Sequence, residues 1–416
     1  MPFGFYIIMA AQFFSAFADN AVLWVAIAML RGAEAPEFHE PLLKLYFVVS
    51  YVALAAFVGA FADSMPKWRV MLASNAVKIA GCLLLFAGVH PLFSYAIVGL
   101  GAAAYSPAKY GILTEYLPHR LLVVANSWIE GLTVGAIILG TVVGGYLTRD
   151  DVTGRILALE IPAVDTAAQA GIAVVGVFYL LAALLNVFIP DTGVDHKPLK
   201  NNLIYLFHDF SHCLKLLWRD KLGQISLAVT TLFWGAGQTL QFIVIKWAAS
   251  NLGLLELADA TLLQGMVAVG IAIGAMLAAR FVSLRKATSV IPLGIIMGLM
   301  MFVMPHITNV LIAKGALVII GVLSGFFVVP MNALLQHRGH VLMGAGHSIS
   351  VQNFNENLSI LVMLAGYALL LWLDLSINTM IYLFGIFLVG SMYLIKRWHE
   401  ANQRVADNVA KLDEVN

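Results

Sequence analysis

Residues 12–24 read QFFSAFADNAVLW, and they place one carboxylate inside an apolar run from Gly4 to Leu30 that holds no other acidic or basic side chain. At about 1.5 Å of rise per residue, Asp19 lies about 22 Å along a helix that begins at Gly4, beyond the midpoint of a hydrocarbon layer about 30 Å thick. A carboxylate there is costly unless it faces protein, water or a cation. We predict that Asp19 lines a pathway, against the alternative that its pairing only locks helices.

The composition is that of a polytopic membrane protein. Apolar residues make up 61% of the 416 residues, charged residues make up 11%, and the mean hydropathy is +0.89. Soluble domains carry about 25% charged residues, so the composition excludes that class. The two cysteines, Cys82 and Cys213, are too few for a disulfide framework or a cysteine-rich zinc cluster, and we expect them to be packing residues.

Twelve apolar stretches are long enough to cross a bilayer as helices. They cover residues 4–30, 43–61, 70–88, 92–114, 121–147 and 168–190, and then 223–252, 260–281, 289–305, 310–336, 344–373 and 378–395. We predict an all-α polytopic membrane protein with 12 transmembrane helices. Its predicted parts are an N-terminal six-helix bundle (1–190), a cytoplasmic connector (191–221), a C-terminal six-helix bundle (222–397) and a polar cytoplasmic tail (398–416).

Charge in the connections predicts the orientation. Lysine and arginine are concentrated in the connections on one side, whereas those on the other side are mainly acidic. The positive-inside rule therefore places both termini in the cytoplasm. In the connector, apolar residues recur at helical spacing from Leu203 to Leu217, which predicts an amphipathic helix on the inner membrane face that holds the halves together.

The two halves resemble each other weakly. Gly-rich segments containing Gly101 and Gly325 precede Pro107 and Pro330 in spans four and ten, and small residues there allow close helix packing and local opening. Pro107 and Pro330 are 223 positions apart, and nearly the same offset, 222 positions, places Asp19 opposite Gln241 in span seven. A duplicated six-helix unit with a site between its halves is the plan of a secondary transporter.

The first cytoplasmic connection carries a recognisable motif. Residues 59–69 read GAFADSMPKWR and resemble the signature loop of the major facilitator superfamily, Gly-x-x-x-Asp-x-x-Gly-[Arg/Lys], with Pro66 in place of the second glycine. The resemblance implies the major facilitator fold of two pseudo-symmetric six-helix bundles and alternating access. It also implies a cytoplasmic gate that latches the halves, formed here by Gly59, Asp63, Lys67 and Arg69.

Within that superfamily, several strings are similar to the bacterial lysophospholipid transporters. They are the stretch around Asp19, GAAAYSPAKYGIL (101–113), FWGAG (233–237), GFFVVPMNALLQ (325–336) and VQNFNEN (351–357). The resemblance implies a flippase that moves lysophosphatidylethanolamine and related lysophospholipids from the outer to the inner leaflet of the bacterial inner membrane, without a cofactor. It also implies a partner, a separate acyltransferase/acyl-carrier-protein synthetase that reacylates the lipid on the cytoplasmic side.

A zwitterionic headgroup needs both signs of charge along its route. We predict that Asp19 and Glu356 serve the ammonium or a coupling cation, and that Lys109 and Glu130 form either a phosphate station or a structural pair. Enterobacterial members have an arginine where this chain has Gln241, so we transfer that role to Lys246. The amides of Asn20, Gln241 and Asn353 are candidate headgroup contacts, although interhelical hydrogen bonds explain them equally well. Lys78 is expected to be structural or to snorkel to the inner surface.

Other functions are tested by the motifs they need. No histidine is followed by aspartate five positions on, as an acyltransferase requires, and no Gly-x-x-x-x-Gly-Lys-[Ser/Thr] loop is present, so we expect neither an enzyme nor an ATP-driven pump. Two alternatives stay open: a proton-coupled exporter of amphiphilic drugs, which would also use Asp19 and Glu356, and a membrane scaffold for the acyltransferase.

Overall fold

The computed structural model describes residues 1–117, 119–193, 203–343 and 345–405. Within these ranges the side chains at positions 59, 60, 63, 114, 119–124, 126, 127, 130, 203, 340, 345 and 346 are not described. The predictions for the side chains of Gly59, Asp63 and Glu130 therefore lie outside the described residues.

All regular structure in the described ranges is helical. The first half contains α1 (Phe3–Gly32), α2 (His39–Ala53), α3 (Ala55–Asp63), α4 (Lys67–Phe86), α5 (Pro91–Tyr116), α6 (His119–Tyr146), α7 (Asp150–Leu157) and α8 (Ala167–Val187). The connector contains α9 (Leu203–Arg219). The second half contains α10 (Gly223–Leu252), α11 (Leu257–Phe281), α12 (Ile291–Met300), α13 (Val310–Met343), α14 (Ala345–Trp372) and α15 (Ile377–Val405).

The helices confirm the predicted all-α polytopic fold. In the described part of the chain, 9 helices are long and apolar enough to cross a membrane, or up to 10 if a bent pair that ends in α7 counts as one span. The predicted second span is two helices, α2 and α3, that meet at Leu54. The predicted ninth span is α12 flanked by the 3-10 turns Leu284–Val290 and Met304–His306.

Some helices extend past the hydropathy boundaries. Helix α13 continues to Met343 and α15 continues to Val405, both beyond their apolar segments, and α7 follows α6 after a bend of 77°. Hydropathy reports the part of a helix that suits lipid, whereas backbone hydrogen bonding continues into polar sequence. The sequence therefore predicts the spans better than the helix ends.

The described chain forms two compact units. The first comprises Met1–Phe207 and Glu256–Leu262, and the second comprises His208–Leu255 and Leu263–Asn416. In the first unit, α1 packs against α6 and α8, while α5 packs against α2 and α4. In the second unit, α10 packs against α13, α14 and α15.

Glycines allow equivalent close approaches in the two units. A Cβ atom on Gly99 of α5 would overlap the backbone of Phe47 on α2, and one on Gly325 of α13 would overlap the carbonyl oxygen of Ile271 on α11. These are spans four and two in one half and spans ten and eight in the other. Pro107 lies inside α5 and Pro330 lies inside α13, and each helix continues past its proline.

Candidate functional site

The carboxylate of Asp19 is enclosed by donors from neighbouring helices of the first unit. Lys78 Nζ of α4 donates to Oδ2 at 2.6 Å, and the Tyr179 hydroxyl of α8 donates to Oδ1 at 2.8 Å. The Tyr95 hydroxyl of α5 donates to the backbone carbonyl of Asp19 at 3.1 Å. The accessible fraction is 13% for the Asp19 side chain and 2% for that of Lys78. Each carboxylate oxygen has a partner, and the negative charge is balanced within the unit.

The ammonium of Lys78 is held as closely as its partner. It also donates to Ser15 Oγ at 2.9 Å, and the Ser15 hydroxyl donates in turn to Asn75 Oδ1 at 2.7 Å. The Tyr105 ring lies 4.9 Å from Nζ, within cation–π range. Gly101 makes room for the lysine, because a Cβ atom there would lie 2.7 Å from Lys78 Cγ. The pair is thus built into the packing of α1, α4 and α5.

The position of Lys78 corrects one of its two sequence readings. A side chain that is 98% buried and bonded to Asp19 does not snorkel to the inner surface, because its ammonium ends inside the bundle. The position of Lys78 agrees with the other interpretation, a structural role within the helix bundle. The sequence contained the signal, since spans one and three carry opposite charges near mid-depth, but helical rise alone does not say which helices are neighbours. That Asp19 lines a pathway remains a prediction.

Near the same unit's centre, Asn20 and Lys109 make local contacts. Asn20 Nδ2 donates to the Ala16 carbonyl of its own helix at 2.8 Å. Lys109 Nζ donates to Thr133 Oγ1 at 3.4 Å, and Gln12 Nε2 donates to the same hydroxyl at 3.3 Å. The Lys109–Glu130 pair stays a prediction, because the Glu130 side chain is outside the described residues.

In the second unit, the buried carboxylate of Glu356 lies in a cluster of amides. Gln352 Nε2 donates to Glu356 Oε1 at 2.8 Å and to Asn332 Oδ1 at 3.1 Å. Sequence reasoning singled out neither Gln352 nor Asn332. The spacing of Gln352 could have indicated this contact, because Gln352 lies one helical turn before Glu356 on the same face of α14.

Three further predicted residues of the second unit are spread over α10 and α14. The Gln241 carbonyl accepts from Gln264 Nε2 at 2.6 Å, and the Asn353 carbonyl accepts from Asn357 Nδ2 at 2.7 Å. Lys246 is half-buried, five residues after Gln241 on α10. Gln241, Lys246 and Asn353 remain candidate contacts.

The predicted gate loop has a lysine that is bonded inside its own unit. Lys67 Nζ donates to the Ala62 carbonyl at 2.8 Å and lies 3.3 Å from Glu115 Oε1 of α5. Arg69 is exposed beside Trp68. Pro66 precedes α4 with φ −49°, a value that suits its ring, so this turn does not use the left-handed conformation that a glycine would allow.

An acid–base pair also joins two parts of the second unit. Arg338 donates to Asp220 through Nε at 3.0 Å and through a terminal nitrogen at 2.6 Å, while Gly223 N–H donates to the same carboxylate at 2.7 Å. Burial raises the pKa of Asp220, but the hydrogen bonds from Arg338 and Gly223 outweigh it and hold that pKa below its usual range. The pair joins α13 to the start of α10.

The described clusters present charged groups among hydroxyl and amide side chains of the helices. Asp19 is paired with Lys78 and also accepts from the Tyr179 hydroxyl, Glu356 accepts from an amide, and Lys109 donates to a hydroxyl. A lysine offers a compact point charge to a phosphate and no bidentate clamp.

Comparison with known proteins extends the description. The family model of the Major Facilitator Superfamily matches residues 8–359. Proteins named lysophospholipid transporter LplT, from Yersinia pestis strain Pestoides F and Yersinia pseudotuberculosis strain YPIII, are each 42% identical over 362 residues. The match covers 87% of this chain and 85% of each relative.

Solved structures share the fold at low identity. A POT family transporter in complex with a thioalcohol-conjugated peptide superposes with a TM-score of 0.73 at 11% identity, covering 97% of each chain. A bacterial homologue of the human lysosomal transporter Spinster, inward-facing and unoccupied, gives 0.66 at 13% identity, covering 97% of this chain and 98% of the other. At such identities the likeness concerns the fold alone.

Proposed function

The chain belongs to the major facilitator superfamily, and we propose that it is a lysophospholipid transporter that flips its substrate from the outer to the inner leaflet by alternating access. The observation that carries the proposal is the 42% identity, over 87% of the chain, to relatives named for lysophospholipid transport. Acids and bases within the membrane-spanning helices suit this substrate, because its headgroup carries charge that must cross the bilayer.

The Asp19–Lys78 pair suggests how a zwitterion is accommodated. Removing the cation from a buried carboxylate costs about 3–5 kcal/mol. Asp19 is therefore paired with Lys78 when no substrate is bound. A lysophosphatidylethanolamine headgroup can insert between the two, with its ammonium on Asp19 and its phosphate on Lys78. Neither protein charge is then left uncompensated. An anionic lysophosphatidylglycerol headgroup would engage Lys78 alone and is expected to bind differently.

The finer surroundings belong to the same proposal. We place this multi-pass protein in the bacterial inner membrane with both termini in the cytoplasm, as the charge of its connections favours. A separate acyltransferase/acyl-carrier-protein synthetase on that side receives the lipid, and the chain itself performs no catalysis.

The decisive experiment is leaflet-resolved uptake of labelled lysophosphatidylethanolamine by proteoliposomes, with and without imposed ion gradients. Asp19→Asn and Glu356→Gln are expected to reduce uptake at normal membrane abundance, and Lys246→Ala is expected to reduce it more than Lys246→Arg. Wild-type rates in both carboxylate variants would remove these residues from the pathway. Equal, wild-type-like rates in both Lys246 variants would remove Lys246.

The same vesicles separate the alternatives. A proton-coupled drug exporter would move an amphiphilic dye when a proton gradient is imposed and leave lysolipid in place. A scaffold would support reacylation in cells even when Asp19 and Glu356 are neutralised. Lysolipid uptake by the purified protein alone contradicts both alternatives.

A further inference from the structure

Three side chains with different metal-ligand atoms meet where the connector helix α9 packs on α14. They are Asp209 and Cys213 of α9 and His347 of α14, all in the second unit. We propose that this triad binds a zinc ion, or a divalent transition metal of similar softness. The proposal is independent of lysophospholipid transport, because it concerns the connector and the inner end of one unit.

The ligand atoms are already close together. One carboxylate oxygen, the thiol sulfur and one imidazole nitrogen all lie within 4.8 Å of one another, and His347 Nε2 is 3.2 Å from Asp209 Oδ2. Asp209 and Cys213 are four residues apart, so they project from the same face of α9. Zinc–ligand bonds of about 2.0–2.3 Å place tetrahedral ligand atoms about 3.3–3.7 Å apart, so the widest separation in the triad has to shorten by about 1.5 Å at most.

Contacts along α9 and α14 hold the triad in register. The rings of Phe210 and Phe354 are 5.3 Å apart, and Trp218 Nε1 donates to Asn355 Oδ1 at 3.3 Å. Cys213 is buried in an apolar cluster that includes Val351 of α14. These α14 residues all follow His347, so the two helices are held together by packing directly beyond the triad, and this packing brings the three ligand atoms close together before a metal binds.

The donor set and its exposure favour a zinc-like ion with one open position. Imidazole nitrogen, thiolate sulfur and carboxylate oxygen are the three donor types that zinc uses, whereas a thiolate disfavours Mg²⁺ and Ca²⁺. His347 is 57% and Asp209 is 43% accessible, while Cys213 is buried. An ion can thus enter from solvent, displace the thiol proton to water, and keep a water as its fourth ligand.

The competing reading is a surface His–Asp hydrogen bond beside a packing cysteine, which is how the sequence alone presents Cys213. That reading gives no role to the sulfur. The zinc reading makes the sulfur a ligand, and this difference can be observed directly.

Cobalt is the probe, because a cysteine ligand gives Co²⁺ a thiolate-to-metal charge-transfer band in the near ultraviolet. Full-length protein without an affinity tag, freed of metal by a chelator, is titrated with Co²⁺ in detergent. We expect one Co²⁺ per chain, a charge-transfer band, and its loss on addition of Zn²⁺. No band in the wild type up to millimolar Co²⁺ overturns the proposal.

Two cysteine variants form a matched pair. Cys213→Ser should abolish the band, whereas Cys82→Ser should keep it, because Cys82 is buried in α4 of the other unit. His347→Ala, at an exposed position that does not threaten the fold, should weaken Co²⁺ binding at least tenfold, and Asp209→Asn should weaken it by less. A band that survives Cys213→Ser, or an unchanged affinity in His347→Ala, contradicts the triad.

Thermal unfolding gives a second readout that does not depend on the spectrum. Zn²⁺ should raise the melting temperature of the wild type and of Cys82→Ser but not that of His347→Ala, because ligand binding to the native state alone stabilises it. An equal rise in His347→Ala would assign zinc to another site and reject this one.

Discussion

The Asp19–Lys78 pair of the first unit and the Asp220–Arg338 pair of the second have the same shortest separation, 2.6 Å, but different surroundings. Lys78 is a point charge surrounded by hydroxyls and an aromatic ring inside the membrane-spanning helices. Arg338 binds Asp220 through two nitrogens of its planar guanidinium near the start of α10, and its side chain is 19% accessible.

The difference shows what each location requires of a charge. Within the spans no water can complete a hydrogen-bond shell, so carboxylate and ammonium must be fully satisfied by protein or by substrate. At the second pair, the backbone N–H of Gly223 also donates to the carboxylate, and the arginine supplies two directed hydrogen bonds together with its positive charge. The first pair is therefore expected to be the more costly to break.

The largest effect is expected for Lys78→Met. It keeps the length of the side chain but leaves the Asp19 carboxylate without its cation, and the free energy of unfolding should fall by about 3–5 kcal/mol. Unfolding in detergent measures this. Adding Asp19→Asn should recover most of the loss.

The matched control is Arg31→Met, which removes the cation from the more exposed Arg31–Glu40 pair, where a loss under about 1 kcal/mol is expected. Equal losses in Lys78→Met and Arg31→Met would erase the distinction between buried and exposed pairs.

Gly101→Ala tests the space that the buried pair needs. The added Cβ would lie 2.6 Å from the Ser74 carbonyl and 2.7 Å from Lys78 Cγ, so α4 and α5 must separate. We expect a loss of about 1–3 kcal/mol in the free energy of unfolding. Gly131→Ala is the control, because no atom lies within 4 Å of its added Cβ. Similar melting temperatures for the two variants would refute the packing argument.

Arg338→Lys tests the two-nitrogen contact of the guanidinium with Asp220. We expect the free energy of unfolding to fall by about 1–2 kcal/mol near neutral pH. The pKa of Asp220 is lowered in the folded protein. The pair therefore stabilises the folded protein at pH values above the unfolded-state pKa of about 3.9. That contribution disappears as the pH falls through the folded pKa. The melting temperatures of wild type and variant should therefore converge on acidification from pH 6 to 3, and a constant gap would contradict the assignment.

The smallest effect is expected for Ser15→Ala, about 1 kcal/mol in unfolding free energy. It removes one acceptor from Lys78 and one donor to Asn75 but leaves the ion pair in place. Denaturant midpoints measure it. A loss as large as that of Lys78→Met would mean that the hydroxyl, not Asp19, balances the ammonium.

Much of the fold followed from local pattern. Hydropathy located the spans, the loop at residues 59–69 resembled the signature of the superfamily, and the strings around Asp19, Lys109 and Glu356 resembled the lysophospholipid transporters within it. The break at Leu54 and the turns around α12 escaped prediction, because an apolar run looks the same whether its helix is continuous or broken. The partner of Asp19 escaped because Lys78 is 59 residues away in sequence and neighbouring helices are chosen by packing.

The amino-acid sequence by itself determined the membrane class, the helical spans and the family, because these depend on which residues tolerate lipid and on strings that can be compared residue by residue. Only the tertiary structure decided which charges meet: Asp19 with Lys78, Asp220 with Arg338, and Cys213 with Asp209 and His347. The reason is physical. Lipid selects each segment for its own hydropathy, whereas an ion pair or a ligand set needs the positions of two helices at once, and those are fixed by side-chain packing between segments distant in sequence.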